Sequence, residues 1–208
     1  MQEVFVKICG ITNLDDSLYC ADCGADALGF NFHTRSVRYI RPEEAHKIIE
    51  RLPEHVTKVG VFVNSRRARI ERIIREVKLS ALQLHGNEHP EDCLNFDVSV
   101  IKAMRVGPSF DPADLLRYQA DAFLLDTQIQ GSYGGAGQSF DWNVAVASKQ
   151  YGKIIISGGL TPSNIEAAVK FVRPYGVDVC SGIESRPGKK NWKMVRDFIA
   201  KAKSLVYR

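Results

Sequence analysis

Groups able to exchange protons recur at two-residue spacing inside short apolar runs of this sequence. Lys7 and Cys9 interrupt VFVKIC, Gln83 and His85 interrupt ALQLH, and Asp178 and Cys180 interrupt VDVCS. Asp126 closes AFLLD, and Lys102 stands within VIKAM. A period of two is that of an extended strand, whose side chains alternate faces. Val6, Ile8, Leu82, Leu84, Phe123, Leu125, Val177 and Val179 then take one face, and the polar set, Lys102 included, takes the other. Burying such groups costs several kcal/mol unless they are paired or wet. Two readings stay open: a paired network that only plugs an interior, or a site for chemistry. Two glycine turns favour a site. Ser157-Gly158-Gly159 and Cys180-Ser181-Gly182 each follow an apolar run, and backbone N–H groups in such turns can approach an anion closely.

The elements that must position these groups are legible as a rhythm. Eight runs rich in Val, Ile, Leu or Phe lie at 4–9, 27–32, 58–63, 81–85, 100–104, 122–126, 153–157 and 177–181. Each has the length of a strand. Between them lie segments with helical apolar spacing, such as PEEAHKIIERL at 42–52, IERIIREV at 70–77 and NWKMVRDFIAKAKSLV at 191–206. Eight strands alternating with about eight helices require a parallel sheet. No run is short and polar in the way an open sheet's edge strand would be, so a single (β/α)8 TIM barrel over residues 1–208 is expected. In that fold Cys9, His85 and Asp126 end their strands on the side where barrel active sites are built, and phosphate commonly sits after strands seven and eight. A third glycine run, Gly131-Ser132-Tyr133-Gly134-Gly135-Ala136-Gly137, lacks the Gly-Lys-Ser/Thr ending of a P-loop and reads as a mobile loop over the site.

Composition narrows the function classes. The chain has 208 residues, 45% hydrophobic and 25% charged, which argues against disorder. The net charge of +4 is too mild for a nucleic-acid binder. The basic cluster Arg66, Arg67, Arg69, Arg72 and Arg75 is interrupted by Glu71 and reads as a solvated helix face. No apolar stretch is long enough for a membrane span, and five cysteines without a secretory signal suggest a reducing cytoplasm. Cys20 and Cys23 form a lone C-x-x-C with no second pair at zinc spacing, so no metal is expected.

The motifs together resemble the phosphoribosylanthranilate isomerase family of tryptophan biosynthesis. They are Lys7-Ile8-Cys9-Gly10-Ile11-Thr12, Ser36-Val37-Arg38, Gln83-Leu84-His85-Gly86, Leu124-Leu125-Asp126, Ser157-Gly158-Gly159-Leu160 and Val177-Asp178-Val179-Cys180-Ser181-Gly182-Ile183-Glu184. The resemblance spans nearly the whole chain. It implies a barrel enzyme without cofactor that performs an Amadori rearrangement on N-(5-phosphoribosyl)anthranilate. By motif, Cys9 is the general base, Asp126 the general acid and Arg38 the clamp on the anthranilate carboxylate. Gln83, His85 and Asp178 are expected at the substrate, and Gly158, Gly159, Cys180 and Ser181 at its phosphate. The implied partner is that small phosphosugar conjugate, with no nucleic acid and no membrane, bound by a monomer or homodimer. A buried carboxyl suits the acid role, and Lys7 is the cation expected to favour a Cys9 thiolate.

Two departures from the family pattern stand out. Cys180 replaces a usual serine, and Asn191 replaces a usual aspartate, although Asn can still cap the last helix. Three other functions compete. A related isomerase of histidine synthesis would carry Asp where Cys9 stands. A non-catalytic phosphate binder would lack Cys9 or Asp126. A thiol-redox protein would use Cys20 and Cys23.

Overall fold

A computed structural model describes residues 3–127 and 141–204. The Gly131–Gly137 run lies outside the described residues. Eight parallel strands close a barrel in sequence order, with β8 pairing back onto β1. They are β1 (Phe5–Cys9), β2 (Ala27–Asn31), β3 (Thr57–Phe62), β4 (Ala81–Leu84), β5 (Ser99–Val106), β6 (Ala122–Thr127), β7 (Ile154–Ile156) and β8 (Gly176–Val179). Every apolar run expected to be a strand is one. The helices α1 (Leu14–Asp22), α2 (Pro42–Ile49), α3 (Arg67–Val77), α4 (Trp142–Ser148), α5 (Ile165–Val172) and α6 (Trp192–Lys203) follow β1, β2, β3, β6, β7 and β8. Their ends are written in the sequence. Asn13 and Asn191 cap α1 and α6 by accepting from Asp16 N and Met194 N, and Pro42 opens α2. Asn191 thus does the work expected of it.

Two crossovers depart from the expected eight helices. The β4–β5 and β5–β6 connections hold only 3-10 turns, Pro90–Cys93 and Pro112–Arg117. Pro90, Pro108 and Pro112 deny these segments the continuous backbone donors of an α-helix, and their apolar residues are sparse. After β8 the chain makes a 3-10 turn at Ser181–Ile183. A small antiparallel hairpin, β9 (Glu184–Arg186) and β10 (Lys189–Lys190), then precedes α6.

The outward strand faces pack under the helices as the larger core, with Val6, Ile8, Leu28, Phe30, Leu82, Leu84, Phe123, Leu125 and Val177 fully or nearly fully buried. A second cluster fills the barrel axis: Ala27, Val59, Ala81, Ile101, Ala103, Ala122, Leu124 and Ile155. Gln83 and Asp126 share the inward face with this plug, two residues beyond Ala81 and Leu124 toward the C-terminal ends of their strands, and Lys7 and Asp178 are ladder partners on β1 and β8. The apolar floor keeps water below the polar layer, which is where buried charges interact most strongly.

Lys102 corrects the reading from sequence. Ala103 belongs to the interior cluster, so its neighbour Lys102 points outward. There it is buried beneath the connections that lack helices, donating to Glu88 Oε2 at 2.8 Å and to the Gly86 carbonyl at 2.9 Å. Tyr118 lies over the ammonium at 5.8 Å from the ring centre. A lysine and a glutamate folded back from the β4–β5 loop thus occupy ground that a crossover helix would cover.

Candidate active site

A cavity of about 900 Å3 opens at the C-terminal ends of the strands. Its lining brings together Cys9, Arg38, Gln83, His85, Asp126, Ser157, Asp178 and Cys180. Seven of the residues expected at a substrate or its phosphate therefore share one cavity.

Cys9 ends β1 beside Cys180, which follows β8. Ile8 and Val179 are partners in the β1–β8 ladder, so the two cysteines are the next residues along adjacent strands. Their side chains lie near enough to act on each other's ionisation. Each sulfur is seated against a glycine. A Cβ on Gly29 would lie 2.8 Å from Cys9 Sγ, and one on Gly10, whose φ is +75°, would lie 2.8 Å from Cys180 Sγ. The thiol that Cys180 donates is the largest influence on Cys9. Burial opposes it, and the charges of Lys7 and Lys190 add to it, leaving Cys9 lowered to about 6. Cys180 moves the other way, raised by its bond to Cys9 and by burial. Cys9 is therefore the member of the pair that gives up its proton first. Lys7 contributes as expected but ranks behind Cys180, because much of its charge is committed elsewhere: Lys7 Nζ donates to Asp178 Oδ1 at 2.6 Å. Burial would push the Lys7 ammonium down. Asp178 and Cys9 together outweigh that and hold it above its ordinary value.

Asp126, next to last in β6, lies on the inner face and accepts Thr127 N at Oδ1 (2.9 Å). His85 Nε2 lies 3.3 Å from Asp126 Oδ2, and Gln83 Nε2 lies 2.6 Å from His85 Nδ1. With the amide as donor, the imidazole proton sits on Nε2 and faces the carboxylate. Among the described residues, Gln83 Oε1 and His85 Nε2 are buried without a hydrogen-bond partner of good geometry. The row thus presents unsatisfied polar atoms to the cavity, as a site for a polar ligand must.

Arg38 reaches the cavity from the segment after β2, where its N–H is fixed by Ser36 Oγ at 3.1 Å. Its Nε and Nη2 fork onto Glu184, at 2.9 Å to Oε1 and 2.7 Å to Oε2. A ligand carboxylate would therefore meet the other edge of the guanidinium. Burial would raise the Glu184 carboxyl, but Arg38 and Lys190 outweigh it and hold it low. Lys190, fully buried, donates to the Cys9 carbonyl at 2.6 Å and to Glu184 Oε1 at 3.1 Å. Glu184 and Lys190 come from the hairpin and were not singled out from sequence. Arg105 was also missed. It is the ladder partner of Asp126 on the inner face of β5. Counting two residues on from Ala103 would have found it.

The two glycine turns meet at the rim. Gly158 and Gly159 hold φ of +79° and +67°. A Cβ on Gly182 would strike the Leu160 carbonyl oxygen, so the turns after β7 and β8 are packed together. Among the described residues, the N–H groups of Gly158, Gly159, Ser181 and Gly182 have no acceptor. Ser157 Oγ donates to Asp178 Oδ2 at 3.3 Å, which joins this rim to the Lys7 pair. The Cys180 side chain turns instead toward Cys9 and Glu184, with its thiol 3.8 Å from Glu184 Oε1.

The remaining thiols do not form a site. Cys20 is buried in α1 and burial pushes it up to about 12, which disfavours it as a redox nucleophile, while Cys23 caps the helix. Among the described residues no three His, Cys, Asp or Glu side chains are grouped to hold a metal. No helix there is long and apolar enough to cross a membrane.

A closed parallel barrel with proton-transfer groups gathered at its C-terminal rim defines a (β/α)8-barrel enzyme. A family model described as N-(5'phosphoribosyl)anthranilate (PRA) isomerase matches residues 6–201. The chain belongs to that family. It is 47% identical over 203 residues to the N-(5'-phosphoribosyl)anthranilate isomerase of Geobacter metallireducens, covering 97% of this chain and all 100% of the relative. The crystal structure of phosphoribosyl anthranilate isomerase from Thermotoga maritima superposes with a TM-score of 0.91 at 44% identity, covering 97% of this chain and 100% of that one. Another crystal structure holds such an isomerase in complex with reduced 1-(o-carboxyphenylamino)-1-deoxyribulose 5-phosphate. It superposes with a TM-score of 0.87 at 42% identity, with coverage of 97% and 100%.

Proposed function

We propose that this chain, acting as one cytoplasmic catalytic domain and as a monomer or homodimer, isomerises N-(5-phosphoribosyl)anthranilate to 1-(2-carboxyphenylamino)-1-deoxyribulose 5-phosphate in tryptophan biosynthesis. The observation that carries the reading is the convergence of Cys9, Asp126 and Arg38 from three separate elements on one cavity. Asp126 gives a proton to the furanose ring oxygen, and the ring opens to an iminium. The iminium acidifies the neighbouring C2–H. The Cys9 thiolate removes that proton, and the resulting enolamine tautomerises to the ketose. The outer edge of Arg38 holds the anthranilate carboxylate. The N–H groups of the Gly158-Gly159 and Ser181-Gly182 turns receive the phosphate, and Gln83, His85 and Asp178 face the sugar.

The test is a fluorescence assay following consumption of the substrate, generated in situ because it is labile. Wild type is expected to turn it over, and folded Cys9→Ala to lose turnover while still binding a product analogue. Turnover by Cys9→Ala within a few-fold of wild type would sink the assignment of the base.

A further inference from the structure

We propose that Cys9 and Cys180 form a peroxide-reactive dithiol site that closes into a reversible disulfide. The geometry carries it. The two residues follow the paired Ile8 and Val179, so they sit side by side on β1 and after β8, and both line the open cavity. Adjacent strands lie about 4.7–4.9 Å apart, within the range of about 4.4–6.8 Å that disulfides span between Cα atoms. Both residues stand where the ladder ends. Gly10 follows Cys9 in the left-handed region, and Cys180 has left the strand with ψ of −84°. Cys9 is held by Gly29 in the β1–β2 ladder and by Lys190 at its carbonyl, so the approach of the two sulfurs falls to their side chains and to Cys180, which has left the strand.

The charges around the pair suit each half of the chemistry. Cys9 is the thiolate, stabilised by the Cys180 thiol and by Lys7 and Lys190. Its lone pair attacks the distal oxygen of a hydroperoxide. The O–O bond breaks, an alcohol or water leaves after protonation, and Cys9 becomes a sulfenic acid. The sulfur has lost two electrons to the peroxide. Cys180 then no longer faces the Cys9 thiolate; Glu184 Oε1 stays 3.8 Å from its thiol, while Lys190 and Arg38 favour its ionisation. Its sulfur attacks Cys9 Sγ, the S–O bond breaks, and hydroxide leaves with the Cys180 proton as water. One hydroperoxide and two thiols have given one alcohol, one water and one disulfide. A second dithiol restores the pair by exchange. A serine at position 180 could not complete this sequence, and Cys9 would pass to the irreversible sulfinic acid. The covalent step rests on the placement of the two cysteines and the charges around them, not on the proposed isomerisation. Its effect on turnover rests on the role proposed above for Cys9.

The experiment treats the full chain, with Cys20→Ser and Cys23→Ser to simplify the peptides, with hydrogen peroxide in the absence of other thiols. Non-reducing peptide mass spectrometry is expected to show a Cys9–Cys180 cross-link, and activity to fall and return to near its starting value with dithiothreitol. Adding Cys180→Ser is expected to give sulfinate on Cys9, with activity that dithiothreitol does not restore. Adding Cys9→Ser is expected to leave Cys180 a free thiol, which tests the order of events should the first variant fold poorly. Sulfinate on Cys9 at the same rate with and without Cys180, or unmodified thiols throughout, would overturn the proposal. A cross-linked protein that still turns over substrate would uphold the dithiol site and refute Cys9 as the base.

Discussion

At the scale of single residues the unusual group is a thiolate whose main support is another cysteine. If Cys180 donates to Cys9, the rate of Cys9 alkylation by iodoacetamide should rise with pH around a midpoint near 6, the value to which Cys9 is lowered, well below the ~8.5 of an ordinary thiol. The sign follows from the lowered value: the thiolate is present above that midpoint and is lost as pH falls through it. Cys180→Ala removes the largest influence and should move the midpoint upward, read peptide by peptide by mass spectrometry. A wild-type midpoint near that of a free thiol would defeat the assignment. Asp126→Asn cannot supply a proton to the ring oxygen, so kcat should fall by ~10²–10⁴ while affinity for a product analogue stays near wild type. Much of this was legible from alternation alone, because a polar residue two positions from another inside an apolar run must be either paired in a buried network or part of a site. Lys102 misled because burial of an outward lysine requires Glu88, which arrives from a loop with no pattern of its own. The bond between Cys9 and Cys180 was illegible for another reason. It depends on closure of the barrel, which makes neighbours of the two ends of the sheet.

At the scale of elements, the hairpin formed by β9 and β10 does more than connect. It carries Glu184 to Arg38 and Lys190 to the carbonyl end of β1. Side chains of Glu184 and Lys190 are 4% and 0% exposed, so the charges are committed to each other and to Arg38. Removing one partner of such a buried group leaves the others without compensation. Glu184→Ala should therefore cost about 3–5 kcal/mol in urea denaturation, and it should raise KM more than it lowers kcat because Arg38 is released. A loss below about 1 kcal/mol, the range of exposed pairs, would show that the hairpin is only a tether. The strands themselves could be read from composition, since each falls in a short apolar run rich in Val, Ile, Leu or Phe. The two crossovers without helices could not be read from the strand–helix rhythm. Their prolines were visible, but the expectation of one helix per strand outweighed them. The hairpin was missed because β9 and β10 are too short for an alternation to show.

At the scale of the whole molecule, the barrel closes where its last strand pairs with its first, and the segment that follows this seam is held largely by carboxylates. Asp16, in α1, accepts Lys189 Nζ at 2.7 Å, Lys190 N at 2.8 Å and Trp192 Nε1 at 2.9 Å. Burial would raise Asp16, but these bonds with that from Asn13 outweigh it and hold it low. Glu184 is held low in the same way by Arg38 and Lys190. Together they fasten residues 184–192 to α1, to the segment after β2 and to β1. A carboxyl lowered in the folded state contributes stability that is fully present above its unfolded value of about 4. That stability is lost as pH falls through the lower folded value. The urea midpoint should therefore hold steady near neutrality and drop steeply as pH falls below about 4, where these carboxylates begin to take up protons. The variant with Asp16→Asn and Glu184→Gln should start lower at neutral pH and show a shallower fall, because it has lost the groups whose protonation drives the change. Parallel curves for the two proteins would mean that acid acts elsewhere, and that the seam is held by the apolar packing of α6 on β1 and α1 instead.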